Sequence, residues 1–352
     1  MDLALGKGLR GLPGPILLTG HTGFKGAWLT FLLEQLQVPV VGLSLKPETN
    51  SLFDRTKRTG AIPEIFADIC NFKAVEKFFE EVKPSAVIHM AAQPLVLESY
   101  KYPRLTFETN VMGTVNVLSA AFSSNSVKVV GVITTDKVYR NDNSGRPFIE
   151  SDPLAGKDPY SASKVGTEAV VAAWQQISKV TGGPKVIALR AGNVIGGGDW
   201  AQDRLLPDLI RGFDSRQKII LRNPESTRPW QHVLDPLLGY ILALEYSLSG
   251  GEEYAFNFGP SNESLTVQEV VNIAINSWPN PVEVLFSSEM TEASREATAL
   301  RLDPGLASRV LGWSMKWSQS EAVSSTINWW DSVLNKGIDP RQVCMAEIEK
   351  IL

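Results

Sequence analysis

Ile16-Leu17-Leu18-Thr19-Gly20-His21-Thr22-Gly23-Phe24-Lys25-Gly26 is the stretch that decides the fold, since an apolar run leads directly into three evenly spaced glycines. A helical pattern follows from residue 24, and a second apolar run spans residues 38–43. A strand, a glycine turn, a helix and a strand in this order form a βαβ unit of the dinucleotide-binding type, whose helix start can bind a diphosphate. A tight turn that only packs helix against strand is the alternative.

Further apolar runs predict four more strands, over residues 64–69, 85–90, 127–133 and 186–190. Helical patterns over residues 72–82 and 103–122 lie between them. Strands that alternate with helices favour a parallel sheet covered on both faces. The sequence therefore predicts an α/β protein with a Rossmann-type, doubly wound parallel sheet.

Composition argues against several classes of function. The chain has 352 residues and a net charge of −4, so no basic excess predicts nucleic-acid binding. No apolar run approaches the roughly 18 residues of a membrane span. Two distant cysteines, Cys70 and Cys344, indicate no disulfide framework and suit a reducing cytoplasm. We expect no metal site, because no metal-ligand spacing relates the histidines, His21, His89 and His232.

The fifth predicted strand leads into Thr134-Thr135-Asp136-Lys137-Val138-Tyr139. Ligands of open α/β sheets bind outside the carboxyl ends of the strands. A hydroxyl, a carboxylate and an amine at this point therefore suggest proton-transfer chemistry. The alternative is a polar loop that only caps the strand.

Tyr160 and Lys164 lie four residues apart at the start of the next predicted helix, so they share one face, roughly 6 Å apart along the axis. A free tyrosine titrates near pH ~10, and a nearby ammonium group favours its phenolate. A phenolate at neutral pH can take the proton of an alcohol while its hydride leaves. A solvated tyrosine and lysine on a helix surface would show the same spacing.

Several positions bear on the cofactor. The second strand ends without a carboxylate until Glu48, and Lys46 could meet a 2′-phosphate, so this position leaves NAD and NADP open. Asp68, near the end of the third strand, either faces an adenine amine or caps the following helix. Ala91 and Ala92 are small enough for a flat cofactor to approach the end of the fourth strand closely.

Together these motifs resemble the extended short-chain dehydrogenase/reductase family, and within it the nucleotide-sugar 4,6-dehydratases. The glycine turn, the Thr135-Asp136 pair and the Tyr160 and Lys164 pair carry the likeness. Longer stretches are similar to the CDP-glucose group of these dehydratases; they span residues 20–26, 110–115, 190–200 and 228–233.

This resemblance implies NAD as the cofactor, with NADP still open, and CDP-glucose as the substrate. It implies cofactor contacts from Gly20, Thr22, Gly23, Phe24, Lys25, Gly26, Ser44, Asp68, Ile69, Ala91, Ala92, Gln93, Asn110, Tyr160 and Lys164. It implies substrate contacts from Gln93, Asn193, Arg204 and Arg228, with Arg295 and Arg301 as weaker phosphate candidates. Trp200 or Trp230 would contact the base or pack in the core.

The reaction implied by the resemblance removes water across C5 and C6 of the hexose and gives a 4-keto-6-deoxy sugar. Thr135 would bind the C4 oxygen, Tyr160 would take its proton, and Lys164 would lower the pKa of Tyr160. Asp136 would protonate the departing hydroxyl group. Lys137 stands where related dehydratases carry the glutamate that removes the C5 proton. The rival functions are another nucleotide-sugar 4,6-dehydratase or a 4-epimerase on the same fold, and a dinucleotide sensor without catalysis.

We expect a disordered, Gly- and Pro-rich tail over residues 1–14. The resemblance implies a dinucleotide-binding domain over residues 15–191 plus about 232–258, and a smaller mixed α/β nucleotide-sugar lobe over about 192–231 plus 259–335, before a C-terminal extension over 336–352. It also implies a homodimer, or a tetramer of such dimers, paired through the helices of Asn110 and Tyr160. Alanines would allow their close approach: Ala120, Ala121, Ala169, Ala172 and Ala173.

Overall fold

The computed structural model describes residues 4–141, 144–221, 223–261, 264–286 and 300–352. Its strands are β1 (Ile16–Thr19), β2 (Val40–Ser44), β3 (Glu64–Phe66), β4 (Ala86–His89), β5 (Val129–Thr135), β6 (Lys185–Ala191), β7 (Val194–Ile195), β8 (Ile219–Leu221), β9 (Thr227–Arg228), β10 (Gln231–His232), β11 (Ala255–Phe258), β12 (Leu265–Thr266) and β13 (Val284–Phe286). Its helices are α1 (Lys7–Arg10), α2 (Phe24–Gln35), α3 (Leu52–Arg55), α4 (Phe72–Val82), α5 (Val96–Lys101), α6 (Pro103–Phe107), α7 (Gly113–Ser123), α8 (Pro159–Thr181), α9 (Leu205–Ser215), α10 (Leu234–Leu248), α11 (Val267–Ser277), α12 (Gly305–Leu311), α13 (Gln319–Leu334) and α14 (Pro340–Glu349).

Seven parallel strands form the central sheet in the order β11-β6-β5-β4-β1-β2-β3. The chain winds outward from β1 in one direction to β3 and then in the other direction from β4 to β11. Such a reversal of strand order opens a crevice at the carboxyl ends of the two central strands, β1 and β4, where ligands bind. The doubly wound α/β prediction is confirmed.

Apolar side chains cover both faces of this sheet. One cluster includes Trp28 of α2 and Tyr240 of α10. The other includes Phe79 of α4, Val117 of α7 and Val171 of α8. Because both faces are buried, the central strands are continuous apolar runs without alternation, which is why they could be predicted from sequence.

Three small strand pairs lie outside the main sheet. β7 pairs with β10 in parallel, β8 pairs with β13 in parallel, and β9 pairs with β12 in antiparallel orientation. These pairs come from segments on both sides of α10 in the sequence. Their place in a separate nucleotide-sugar lobe stays a prediction.

The predicted helix over residues 103–122 is interrupted. The structure has α6, then a π-helical turn over Glu108–Met112, and then α7. This wider turn contains Asn110, whose side chain is almost fully buried. A π-turn this short does not disturb the apolar periodicity, so the sequence pattern predicted one continuous helix.

The prediction of a disordered tail is wrong for residues 4–14. Helix α1 packs Leu9 into the core, where it is 1% exposed. The backbone N–H groups of Gly6 and Gly8 donate to the Glu245 carboxylate of α10, over 3.2 and 2.7 Å. One carboxylate thus fixes a segment whose glycine content alone suggested disorder.

Helix α8 is fastened to the sheet by a buried ion pair. The Arg190 guanidinium of β6 donates two hydrogen bonds of 2.8 Å to the Glu168 carboxylate of α8. Thr134 of β5 donates to the same carboxylate over 2.6 Å, and Arg190 also donates to the Tyr139 hydroxyl over 2.8 Å. Tyr139 in turn donates to Asn257 of β11, so the network joins one helix to three strands and the loop after β5.

Replacement of Arg190 by methionine is expected to destabilise the protein strongly. It would leave the Glu168 carboxylate buried without its partner, a change that typically costs about 3–5 kcal/mol. Urea denaturation followed by circular dichroism measures this free energy of unfolding. Lys77→Met is the matched control, because Lys77 forms an exposed ion pair with Glu81 that is worth at most about 1 kcal/mol. Equal effects of the two substitutions would contradict the role given to the buried pair.

Candidate active site

The glycine turn between β1 and α2 permits close backbone packing. Gly20 has a φ of 73°, and a Cβ on it would lie 2.7 Å from the Ala91 nitrogen. A Cβ on Gly26 would overlap the Gly20 carbonyl group. A larger residue at either position would push the turn away from β4 or from α2.

The start of α2 is open to an anion. Its N-cap is Gly23, and no side chain caps the helix. The first N–H groups of a helix have no partner within the helix, and its dipole favours negative charge there. Phe24 and Lys25 stand in this first turn, at the carboxyl edge of the sheet. These features fit the diphosphate of a dinucleotide.

Hydroxyl groups tie the glycine turn to the end of β2. The Thr22 and Ser44 hydroxyls lie 2.7 Å apart, and Thr22 also donates to the Leu45 carbonyl over 3.0 Å. The preceding residue of the turn, His21, forms a hydrogen bond of 2.6 Å with the Glu64 carboxylate of β3. Thr22 and Ser44 therefore lie together beside the glycine turn, and their contact with the cofactor stays a prediction.

Asp68 does not cap the helix that follows it. Asn71 caps α4 by accepting a hydrogen bond from the Ala74 N–H group. Asp68 instead accepts from the Cys70 N–H group over 2.8 Å. The capping alternative is therefore wrong, and a contact with adenine stays a prediction. Its neighbour Ile69 is buried against the start of α7.

A buried histidine lies next to the glycine turn. His89 of β4 lies 2.7 Å from the Thr19 hydroxyl and 3.0 Å from the Thr114 hydroxyl. Burial, reinforced by the charge of Lys164, lowers the pKa of His89 to about 3. His89 is therefore neutral, and its role is to link β1 and β4 to α7. Ala91 follows β4, with its N–H group bonded to the Thr19 hydroxyl.

Gln93 and Asn110 are hydrogen-bonded to each other and position the loop after β4. Asn110 accepts from the Gln93 N–H group over 2.8 Å and donates to the Gln93 carbonyl and to the Ser163 hydroxyl of α8. The Gln93 side-chain amide donates to Leu95 and Thr106. Both side chains thus position the loop, and a substrate contact from Gln93 stays a prediction.

Thr135 and Asp136 are buried at the carboxyl end of β5, and Lys137 is partly buried. The Thr135 hydroxyl donates to one Asp136 carboxylate oxygen over 2.9 Å and accepts from the Lys137 N–H group. The other carboxylate oxygen of Asp136 is buried and has no hydrogen-bond partner. This oxygen lies against the Gly192 backbone.

Burial raises the pKa of Asp136, although Lys137, Thr135 and Arg228 act against the rise. Gly192 lies directly against this carboxylate, since a Cβ there would overlap it. The carboxyl group therefore sits in a space closed by backbone, which excludes water and favours its neutral form.

Tyr160 and Lys164 are buried on one face of α8. The Lys164 ammonium donates to the Ile133 carbonyl of β5 over 3.1 Å. Burial lowers the pKa of Lys164 to about 8, and Glu168 opposes the shift. Burial also raises the pKa of Tyr160 to about 12, with a hydrogen bond to Thr135 acting against it. The protein by itself thus holds a neutral phenol, so ionisation needs the further positive charge of a bound cofactor.

Two of the three predicted diphosphate ligands lie near Tyr160 or Asp136. Arg204 donates to Asp199 over 2.8 Å and lies close enough to Tyr160 for their charges to interact. Arg228, on β9, acts on the charge of Asp136. Asn193 follows β6 with a φ of 43°, and its buried side-chain N–H₂ group has no partner. A contact of each with the substrate diphosphate stays a prediction.

The two candidate tryptophans differ in burial. Trp230 is 7% exposed and donates to the Leu265 carbonyl, so it packs in the core. Trp200 is partly buried, and its ring contacts Trp330. The guanidinium groups of Arg55 and Arg211 lie 5.0 and 5.3 Å from the centre of the Trp200 ring. A contact of Trp200 with the base stays a prediction.

Arg295 lies outside the described residues. Arg301 precedes Leu302, which forms a bridge with Phe148. Within the described ranges, no group of three or more His, Cys, Asp or Glu side chains could hold a metal ion, and no helix is long and apolar enough to cross a membrane. Cys70 and Cys344 are both free thiols.

Sequence reasoning missed three residues of the site. Glu168 supports Lys164 and stands four positions after it, so helical spacing could have revealed it. Gly192 and Tyr240 left no such signal, because their contacts with Asp136 and Lys25 come from distant segments.

Curated relatives match nearly the whole chain. It is 39% identical over 323 residues to a CDP-glucose 4,6-dehydratase from Salmonella typhimurium, and the match covers 89% of each protein. It is 27% identical to a dTDP-glucose 4,6-dehydratase from Shigella flexneri, over 90% of this chain and 92% of the relative.

Solved structures share the fold. A UDP-glucose 4-epimerase from Stenotrophomonas maltophila, with NAD and a UDP-sugar bound, superposes with a TM-score of 0.80 at 21% identity, over 92% of this chain and 99% of that one. The model of the NAD-dependent epimerase/dehydratase family matches residues 16–259, which contain the glycine turn, Thr135, Tyr160 and Lys164. The chain belongs to the NAD-dependent epimerase/dehydratase family.

Proposed function

We propose that the chain is a CDP-glucose 4,6-dehydratase, which converts CDP-glucose to CDP-4-keto-6-deoxyglucose for deoxysugar biosynthesis. One observation carries the proposal: a buried carboxyl group, Asp136, has a free oxygen beside the Thr135, Tyr160 and Lys164 set that serves alcohol oxidation. The similarity to the Salmonella dehydratase supports CDP-glucose as the substrate. A reducing cytoplasm, which suits the two free thiols, is the compartment we assign.

The glycine turn, Tyr160 and Lys164 would hold NAD. When bound, it would supply a hydride acceptor for C4 and, once reduced, the hydride donor for C6, so none would be consumed. Tyr160 takes the C4 hydroxyl proton, and Thr135 hydrogen-bonds the same oxygen. Lys164, held by the Ile133 carbonyl, adds positive charge that favours the phenolate.

Water loss follows from the acidity that a C4 ketone gives to the C5 proton. Lys137 takes that proton, and Asp136 gives a proton to the departing C6 hydroxyl group. Burial raises the pKa of Asp136, which favours the protonated form that this role requires. Asn193, Arg204 and Arg228 bind the substrate diphosphate, since guanidinium and amide N–H groups suit phosphate oxygens.

A 4-epimerase on the same fold is the alternative. Epimerisation needs the oxidising set but neither an acid nor a base for water loss. The buried carboxyl group of Asp136 would have no use in it, and burying such a group has a cost in stability. Dehydration is therefore the reaction that uses all the residues of the site.

Incubation with a panel of nucleotide sugars tests the assignment. With NAD and CDP-glucose, we expect a 4-keto product, detected by its absorbance after alkali treatment. dTDP-, UDP- and GDP-glucose should react far more slowly. An epimerised sugar, or a 4-keto product from another nucleotide sugar and none from CDP-glucose, would show that the assignment is wrong.

Lys137→Ala should separate oxidation from water loss. C4 oxidation uses Tyr160 and Thr135, so it should persist, whereas loss of the C5 base should slow product formation by about 10²–10⁴-fold. Reduced cofactor should then accumulate, which its near-ultraviolet absorbance reports. Lys73→Ala, at an exposed lysine of α4, is the control and should behave like the wild type. Unimpaired water loss in Lys137→Ala would rule out Lys137 as the base.

We also propose a homodimer formed through α6, the π-turn and α8. Exposed apolar side chains cluster on α5, α6 and this turn; they are Leu97, Tyr100, Tyr102, Leu105, Phe107 and Met112. Ala169, Ala172 and Ala173 are exposed on the adjoining α8. Ala120 and Ala121 are buried in the core of their own chain, so their predicted place in the interface is wrong.

Leu105→Glu tests this dimer. A charge in the apolar surface should convert the protein to a monomer, as measured by light scattering after size-exclusion chromatography. Ile220→Glu is the control, because Ile220 is 66% exposed on β8 of the other lobe. A wild-type protein that elutes as a monomer would overturn the proposal.

A further inference from the structure

A buried glutamine holds the chain beside the proposed acid. Gln231, at the start of β10, is fully buried. Its side-chain amide donates to two backbone carbonyl groups, that of Gly192 over 2.9 Å and that of Phe258 over 2.8 Å. Its own backbone N–H group donates to the Asn193 carbonyl over 3.2 Å. One residue thus holds two consecutive carbonyl groups after β6 and joins them to the end of β11.

The backbone that Gln231 holds is the backbone that encloses Asp136. Strand β6 ends at Ala191 and β7 begins at Val194, so Gly192 lies in a short connection between two strands. A Cβ on Gly192 would overlap the Asp136 Oδ2 atom, which places the glycine backbone against this carboxylate oxygen. The same oxygen is the buried one without a hydrogen-bond partner. The position of this connection therefore controls the access of water to the acid from that side.

Loss of the Gln231 amide would weaken this enclosure. The carbonyl groups of Gly192 and Phe258 would lose a buried donor, and a buried carbonyl group without a partner is costly, so the connection would shift or admit water. Either change hydrates the Asp136 carboxylate and favours its charged form. We propose that Gln231 is a positioning residue for water loss, because it holds Gly192 against Asp136 and so keeps the acid enclosed. This inference rests on the proposed role of Asp136 as the acid.

The neutral side chain of Gln231 allows its effect to be isolated. Burial raises the pKa of Asp136. Other groups act on this carboxyl group through their charges or through a hydrogen bond; they are Lys137, Thr135, Arg228, Lys25 and Tyr160. Replacing Gln231 by another neutral residue leaves all these charges in place. A shift in the titration of Asp136 would then report a change in its enclosure.

Gln231→Met tests the proposal without turnover. The substitution keeps the length of the side chain and removes its amide N–H donors. In protein labelled with carbon-13 at the aspartate carboxyl groups, nuclear magnetic resonance follows the titration of each group, and Asp136→Asn identifies the signal of Asp136. Because this carboxyl group becomes more hydrated, its pKa should be about one unit lower in Gln231→Met than in the wild type. An unchanged pKa in the folded variant would overturn the proposal.

Gln319→Met is the matched control. Gln319 on α13 is also buried, and its side-chain carbonyl group accepts from the N–H groups of Trp230 and Leu265 over 3.2 and 3.3 Å. It therefore supports the backbone next to Gln231 through bonds that do not involve Gly192. The titration of Asp136 in this variant should match the wild type. An equal shift in both variants would show a general loosening of the protein and would contradict the proposal.

Turnover of CDP-glucose with NAD gives a second readout. A lower pKa leaves less of Asp136 protonated at neutral pH, so water loss in Gln231→Met should slow about tenfold for each unit of the shift. This deficit relative to the wild type should shrink as the pH is lowered, because Asp136 regains its proton, whereas C4 oxidation should persist. A deficit that stays constant with pH would indicate a merely structural role for Gln231.

Gln231→Asn decides the question if Gln231→Met does not fold. It keeps an amide but is one methylene shorter, so it should not reach the carbonyl groups of Gly192 and Phe258 together. The pKa of Asp136 should again lie below that of the wild type, and an equal value would overturn the proposal. The titration needs no substrate, so it can fail separately from the sugar panel that tests the proposed function.

Discussion

The buried pair between Arg190 and Glu168 is the interaction on which the active site depends. It fixes α8 against β5 and β6, and its carboxylate also receives the Thr134 hydroxyl. Tyr160, Lys164 and Glu168 follow one another at intervals of four, so they share one face of α8. Fixing Glu168 on the sheet therefore fixes the direction in which Tyr160 and Lys164 point. Thr135, next to Thr134, is brought to the same place by the strand itself.

Cationic groups lie close together in the crevice. Burial is the main cause that lowers the pKa of Lys25, and the charges of Lys164 and Arg204 lower it further. Burial alone lowers the pKa of Lys164, against the effect of Glu168. Like charges at close range are unfavourable, so an anionic ligand bound there would relieve the repulsion and stabilise the folded protein.

Much of this could be predicted from sequence, and the failures have common physical causes. The strands, the glycine turn, and Tyr160 with Lys164 obey local periodicities, so local pattern was enough to find them. The tail depends on Glu245, more than two hundred residues away, and its composition could not show that contact. Gly192 matters only because it meets Asp136. Small residues suit both an interface and a packed core, and periodicity does not distinguish these two uses. The sequence therefore wrongly placed Ala120 in the interface.

The positive charge of Lys137 affects the pKa of the neighbouring acid, Asp136. Where a glutamate follows the catalytic aspartate, its negative charge can help to keep that aspartate protonated. A lysine has the opposite effect, and Lys137 does lower the pKa of Asp136. Burial is then the only cause that raises the pKa of Asp136, so the backbone around the carboxyl group must exclude water. Gly192 does so on one side, because it packs directly against the carboxylate and leaves no room for water there. In the proposed reaction, a lysine base therefore makes the enclosure of Asp136 the condition for water loss.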